Sequence, residues 1–340
     1  MRKIIIVIII LFLLFSLGLI LLVVPYYKKN YSSNIIQEAH ICIPTQADYY
    51  QVKKLIAPYL KDSQSFDKVA YSEKYPEKIK AGRYKLNLGE NNRDLIRRLL
   101  LGKQDEVHLR IKSYDDIYEL ASDLGKNLED DSLKFINYFK KQASLKGYKD
   151  VEELKIYFTP ETYYMDWNTS PEKLFSRFER IHNRFWNEKR RAEADQLGLS
   201  VLEVYTLASI IQREYVIKDE LPIIAGLYLN RLKKDMKLQS DPTVQYAERK
   251  IYGFKIQVKR VKNVSIDSPY NTYKNKGLPP LPICIPNDFV VDAVLNPAKT
   301  DYLYMCAIKN TGRHAFTSNP VEHMKNARAY IDWLNSHKIK

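Results

Sequence analysis

Residues 4–24, twenty-one in a row, carry no charge and are almost entirely Ile, Leu, Val and Phe. A helix of that length crosses the roughly 30 Å hydrocarbon layer of a bilayer. The run therefore predicts a transmembrane anchor over 4–24, with residues 1–3 as a cytoplasmic leader. Polar residues follow, Asn30, Ser32, Ser33 and Asn34 among them, and predict a spacing tether over 25–39. Short apolar stretches and helical periodicities then alternate: strands over 40–43, 82–88 and 107–111, helices over 47–60 and 92–101. In the second of these helices Leu95, Ile96, Leu99 and Leu100 form one face and Arg93, Arg97 and Arg98 the other, the pattern of a helix packed on one side. Residues 113–150 read as charged helix with Tyr118, Leu120, Leu124 and Leu128 on an apolar stripe, and predict a helical connector over 113–165. Residues 157–163 are a proline-interrupted apolar loop or strand. A long helix over 172–196 and another starting near Ser200 complete the pattern, without internal repeats.

At 340 residues and 45% hydrophobic content, the chain has material for one large domain or two modest ones and is not a disordered protein. A cleaved signal peptide competes with the anchor. Its apolar region would be about 7–15 residues and end in small residues, whereas this one ends Val23, Val24, Pro25, Tyr26. Arg2 and Lys3 before the span are matched by Lys28 and Lys29 after it, so charge bias does not orient it. The short leader places the N-terminus inside and the body outside the cell membrane. A formal charge of +14 suits an anionic surface or polymer. The lysines are spread along the whole chain and no recognition motif is present, which excludes nucleic acid as the expected partner. Cys42, Cys284 and Cys306 are far apart, odd in number and without metal-ligand spacing, and read as buried small hydrophobes. No metal or cofactor is expected.

Chemistry enters with Glu214, which follows Val204, Leu207, Ile210 and Ile211 by ten, seven, four and three residues and so shares their helical face. A carboxylate on an apolar face loses solvation, which raises its pKa and keeps the proton that a general acid must hold at neutral pH. The plainer alternative is a Glu that ends the helix and pairs with Arg231 or Lys218. Downstream, residues 238–246 form a polar cluster, with Asp241 expected as a helix cap and Pro242 at the first helical position. Residues 268–273 and 277–282 add amides, hydroxyls, aromatic rings and rigid turns. Such groups suit a sugar, which needs hydrogen-bond partners for its hydroxyls and flat apolar faces against its ring.

The segments Leu207-Ala-Ser-Ile-Ile, Leu229-Asn-Arg231, Leu238-Gln-Ser-Asp-Pro-Thr-Val-Gln-Tyr246, Ser268-Pro-Tyr-Asn-Thr-Tyr273, Gly277-Leu-Pro-Pro280 and His314 with Phe316 occur in the order and spacing of a known family. The chain resembles the membrane-anchored endolytic lytic transglycosylases of the YceG-like, or MltG, family. The resemblance implies an α+β protein with a LysM-like domain over 40–112 and a larger mixed α/β catalytic domain over 166–340. It further implies cleavage of peptidoglycan glycan strands near wall-synthesis complexes, with Glu214 as acid and base. Substrate-binding residues implied with it are Asn230, Arg231, Gln239, Ser240, Asp241, Thr243, Tyr246, Asn271, Thr272, Tyr273 and His314. The family's catalytic Glu-Lys-Glu run reads Gln212-Arg213-Glu214 here, its Glu-Gly pair is Lys155-Ile156, and a Gly after the proline turn is Leu281. Position 212 lies about 160° round the helix from Glu214, so the first replacement leaves the acid in place. Two rivals stand beside this reading: a two-carboxylate hydrolase using Glu220, and a non-catalytic wall-binding scaffold.

Overall fold

The computed structural model describes residues 2–253 and 264–336; Met1 of the predicted leader and 337–340 at the end of the predicted catalytic region lie outside them. The architecture is mixed α+β, and the chain divides into two compact units. The first comprises Met1–Leu109, Asn127–Asp130 and Tyr164–Ser170; the second comprises Arg110–Lys126, Asp131–Tyr163 and Pro171–Lys340.

The first unit opens with α1 (Arg2–Tyr31), whose apolar side chains are exposed all the way round over 4–24. Its stretch Ile4–Tyr31 has the length and hydropathy of a membrane span, a property that an N-terminal signal sequence shares. The helix does not stop at Val24. It continues through Pro25, which lacks the N–H that would close a helical bond, to Tyr31. The expected tether is therefore not a free spacer. Asn34 is buried, donates to Asn92 Oδ1 at 2.6 Å and to the Asp62 carbonyl at 2.9 Å, and accepts the Asp62 N–H at 2.7 Å. Asn92 in turn donates to the Lys29 carbonyl at 3.1 Å and to Ser65. Composition alone suggests a linker here, but these amides serve as internal hydrogen-bond partners.

The body of this unit follows in the order β1 (Ala39–Ile43), α2 (Tyr49–Ile56), α3 (Ser63–Ser72), β2 (Gly82–Leu86), α4 (Asn92–Leu101). Each helix has a local start signal. Asp48 and Gln51 form a capping box, Asp62 accepts from the Gln64 and Ser65 N–H groups, and Asn91 accepts from that of Asp94. Gly102 at φ 68° ends α4 in the left-handed conformation that costs glycine little. β1 and β2 pair antiparallel with Ile41 opposite Tyr84, and Val52, Phe66, Leu95 and Leu99 close the core against them. The helix α3 was not anticipated from sequence.

β3 (Val107–Arg110) and β4 (Thr162–Met165) form a second two-stranded sheet. α5 (Ile117–Asn127) and α6 (Ser132–Leu145) occupy the stretch predicted as a connector, but Phe139 packs within the second unit, its ring 5.5 Å from Phe158. The single helix expected over 172–196 is two, α7 (Pro171–Phe185) and α8 (Glu188–Leu197). Trp186 is buried between them and donates to Tyr205 at 3.3 Å, while Asn187 caps α8. Then come α9 (Val201–Glu214), α10 (Leu221–Lys233), α11 (Asp241–Tyr252) and α12 (Asp288–Leu295). The unit ends with the antiparallel hairpin β5 (Tyr304–Ala307) and β6 (His314–Thr317), followed by α13 (Pro320–Ser336). Helices make up most of this unit, with the β5–β6 hairpin as its own sheet, so it is of mixed composition.

Candidate active site

α9 begins at Ser200, whose side chain forms a capping box with Glu203, and its central positions 204–211 are all buried. Glu214 is the last residue of this helix, one turn beyond Ile210 and Ile211, as the spacing requires. It lines a cleft of about 490 Å³ together with Tyr228, Arg231, Gln239, Asp241, Tyr273 and His314. Leu227, Leu238, Met305, Cys306, Ala307 and His323 complete the wall. Cys306, read from sequence as a buried hydrophobe, is thus in the cleft; Cys284 is buried and Cys42 half-buried.

Both hydrogen bonds to the Glu214 carboxyl fall on one oxygen. Oε1 accepts from Ser240 Oγ at 2.6 Å and from Tyr228 Oη at 3.2 Å. Among the described residues Oε2 has no hydrogen-bond partner, and Glu214 makes no ion pair with Arg231 or Lys218. Burial holds this carboxyl above the ordinary carboxylate range, and the charge of Asp241 pushes the same way, while the hydrogen bonds from Ser240 and Tyr228 pull against them. Its place in the last turn of α9, beside unsatisfied carbonyl oxygens, also disfavours the anion. The result is a carboxyl on the cleft wall with one oxygen unbonded among the described residues and with its pKa held above the ordinary range.

Ser240 explains part of this geometry. It stands at the N-cap of α11, one residue before the Asp241 expected there, yet makes no capping hydrogen bond. Its hydroxyl is given to Glu214, and its N–H donates to Thr272 Oγ1 at 3.0 Å. Thr243 Oγ1 donates to the Ser240 carbonyl at 2.6 Å and lies 2.8 Å from Thr272 Oγ1. Gln239 holds a left-handed backbone, φ 50°, with its N–H on the Thr272 carbonyl at 3.1 Å. That conformation is strained for a residue with a side chain and is maintained by this network.

The predicted binding residues thus fall into two sets. Arg231, Gln239, Asp241, Tyr273 and His314 line the cleft beside Glu214. Tyr273 donates to Asp241 Oδ1 at 2.6 Å. Arg231 is buried, with Nε on the Leu303 carbonyl at 2.6 Å and Nη1 on the Leu238 carbonyl at 2.9 Å, and it has no salt-bridge partner among the described residues. The others lie behind the wall. Ser240, Thr243 and Thr272 form the network just described. Asn271 donates to the Val264 and Ile266 carbonyls, and Asn230 to those of Thr300 and Tyr302. Tyr246 packs on Tyr270 with ring centroids 4.8 Å apart. Sequence reasoning missed Tyr228 and His323. Tyr228 sits three residues before Arg231 on α10, so the spacing was available; nothing local marked His323.

Glu220 does not line the cleft. It is 3% exposed and bound to His314. The departures from the family pattern are built into the structure. Lys155 is fully buried, pairs with Glu152 at 2.8 Å and donates to the Pro282 carbonyl at 2.8 Å, next to Leu281. Gln212 Oε1 accepts both the N–H and Nδ2 of Asn287 at 2.9 Å, away from the cleft wall. Replacing it by Glu keeps that acceptor, so Gln212→Glu is expected to change turnover by less than about twofold, since substitutions away from such features stay within roughly 0.5 kcal/mol. A tenfold change in a turnover assay would mean that position 212 reaches the reaction.

The family of this arrangement is settled by comparison. Residues 41–329 match the YceG-like family, and the chain belongs to it. It is 33% identical over 281 residues to the endolytic murein transglycosylase of Bacillus subtilis, covering 76% of this chain and 74% of that one. It is 28% identical over 283 residues to the endolytic murein transglycosylase of Streptococcus pneumoniae serotype 2, covering 75% of this chain and 51% of that longer relative. A crystal structure of a yceG-like protein from Listeria monocytogenes superposes with a TM-score of 0.53 at 28% identity, covering 85% of this chain and 98% of that one.

Proposed function

We propose that the chain is a membrane-anchored lytic transglycosylase that cuts peptidoglycan glycan strands internally. Its relatives named endolytic murein transglycosylase supply the class and substrate. The observation that carries the mechanism is the Glu214 carboxyl on the cleft wall, held through Oε1 by Ser240 and Tyr228, with Oε2 unbonded among the described residues. A proton on Oε2 passes to the glycosidic oxygen between N-acetylmuramic acid and N-acetylglucosamine as that bond breaks. The C6 hydroxyl of the same muramic residue then attacks the anomeric carbon and returns its proton to Glu214, leaving a 1,6-anhydro end. The nucleophile is tethered to its target, so a single carboxyl suffices where hydrolysis employs two. The unpaired Arg231 charge in the cleft suits the carboxylates that muramic acid and its peptide carry.

One observation favours hydrolysis instead: Asp241, a second carboxylate, lines the same cleft. Glu220, the carboxylate first considered for that role, is bound to His314. Mass spectrometry of products from purified wall decides between them. Anhydro ends support the transglycosylase, reducing ends the hydrolase, and uncut strands a binding scaffold. For the first unit, in which α2 and α3 lie in the chain between the antiparallel pair β1 and β2, we keep a LysM-like, wall-binding role. Retention of the full chain on insoluble peptidoglycan after Glu214→Gln, and its loss on disrupting this unit, is the corresponding test.

Ser240→Ala removes a hydrogen bond that lowers the Glu214 pKa. The carboxyl then keeps its proton to higher pH, and the alkaline limb of the pH–rate profile is expected to move up. A profile that stays in place or moves to lower pH contradicts Glu214 as the acid.

A further inference from the structure

We propose that Glu220 is a positioning residue that acts on the reaction through His314, a proposal that rests on the glycan-cleaving reading above. Glu220 closes the short turn Lys218–Glu220 at the start of α10 and is almost wholly buried. Both of its oxygens are directed to one residue. Oε1 accepts the His314 backbone N–H at 2.9 Å, and Oε2 meets the ring Nδ1 at 2.8 Å. The first contact fixes the beginning of β6, and the second fixes the ring.

An ionised carboxylate can only accept, so Nδ1 carries a hydrogen and the tautomer is set. Nε2 is the ring nitrogen turned from Glu220, and His314 lines the cleft with Glu214 whereas Glu220 does not. Among the described residues the ring makes no other hydrogen bond. The neighbouring charges are otherwise engaged or set back: Arg313 pairs with Asp219 at 2.9 Å, and His323 stacks on Tyr304 across the wall. Glu220 therefore presents to the substrate a ring nitrogen of fixed orientation with unmet hydrogen-bonding capacity. Bare, that nitrogen accepts from a donor, and a sugar of this polymer brings two kinds, hydroxyl groups and the N–H of its acetamido group.

The carboxylate-to-amide change tests the idea with little alteration of shape. In Glu220→Gln the amide oxygen must face the His314 N–H, which accepts nothing. The amide nitrogen is then left facing Nδ1 as a donor, and the ring proton moves to Nε2. Full-length protein in detergent micelles, labelled with ¹⁵N at histidine rings and assigned with His314→Asn, is expected to show Nδ1 protonated in the wild type and unprotonated in Glu220→Gln. Turnover on purified glycan strands is expected to fall about ten- to hundredfold in Glu220→Gln and in His314→Asn, the cost of one hydrogen bond to the reacting sugar. The double variant is expected to match His314→Asn alone. Glu220→Asp, which keeps the charge and shortens its reach, provides a second variant if the amide impairs folding, with the same dependence on His314. Additive losses in the double variant, or Nδ1 protonation unchanged by Glu220→Gln, overturn the proposal. Absence of cleavage by the wild type would instead defeat the functional reading, and the ring protonation is read independently of it.

Discussion

Glu214→Gln is expected to abolish glycan cleavage, by about 10³-fold or more, the scale of general acid catalysis, while raising the melting temperature at neutral pH. The amide keeps the shape, and its oxygen still accepts from Ser240 and Tyr228 in place of Oε1. What it loses is the transferable proton. The stability effect follows from linkage. The folded carboxyl lies above its unfolded pKa, chiefly through burial. Below the unfolded value, about 4.3, both states hold the proton. As the pH rises the unfolded chain ionises first, so stability is progressively lost up to the folded pKa and does not return above it. The amide does not titrate and escapes this loss, worth about 1.4 kcal/mol for each unit of displacement. Calorimetry should therefore show the variant melting above wild type at pH 7 and level with it near pH 4. Equal melting at both pH values would mean that the carboxyl is not raised, and near-normal turnover would remove it from the role of acid.

The position of Glu214 could be read from sequence because helical phase is a local property: four apolar residues at known offsets place it on a buried face. The starts of α4 near Asn92 and of α9 near Ser200 were legible for the same reason, and the cap that sets each lies within three residues of its effect. What escaped depends on distant partners. Ser240 resembles a cap, and its hydroxyl turns instead to a carboxyl twenty-six residues away in sequence. Thr243, Asn271 and Thr272 look like sugar ligands because hydroxyls and amides hydrogen-bond sugars and backbone alike, and here they bind backbone and one another. The break between α7 and α8 was marked by Asn187, a good cap, but its cause is the burial of Trp186 against Tyr205. The polar residues after the apolar run were misread for the reverse reason, since Asn34 and Asn92 are joined by a hydrogen bond across fifty-eight positions.

That misreading sharpens the expectation for where the enzyme works. A free tether over 25–39 would let the body range roughly 50 Å from the bilayer. Instead α1 runs from Val24 to Tyr31 as helix, about 10 Å at 1.5 Å per residue, and its end is tied directly into the first unit. Asn92 holds the Lys29 carbonyl, and Arg93 donates to the hydroxyls of Tyr26 at 3.1 Å and Tyr31 at 2.8 Å. With α1 as an uncleaved anchor, the first unit stays at the membrane surface, and the second is joined to it by the same chain. Newly made glycan emerges in that zone, and mature wall lies beyond it. Cells carrying the full-length protein are expected to show shortened nascent strands and intact older wall. Cells exporting residues 26–340 at equal abundance should keep the chemistry, with the same product ends, and lose the confinement, so that pulse-labelled older strands shorten as well. If the released form spares old wall as completely as the anchored one, the membrane does not set the site of action, and selection must reside in how the cleft recognises its substrate.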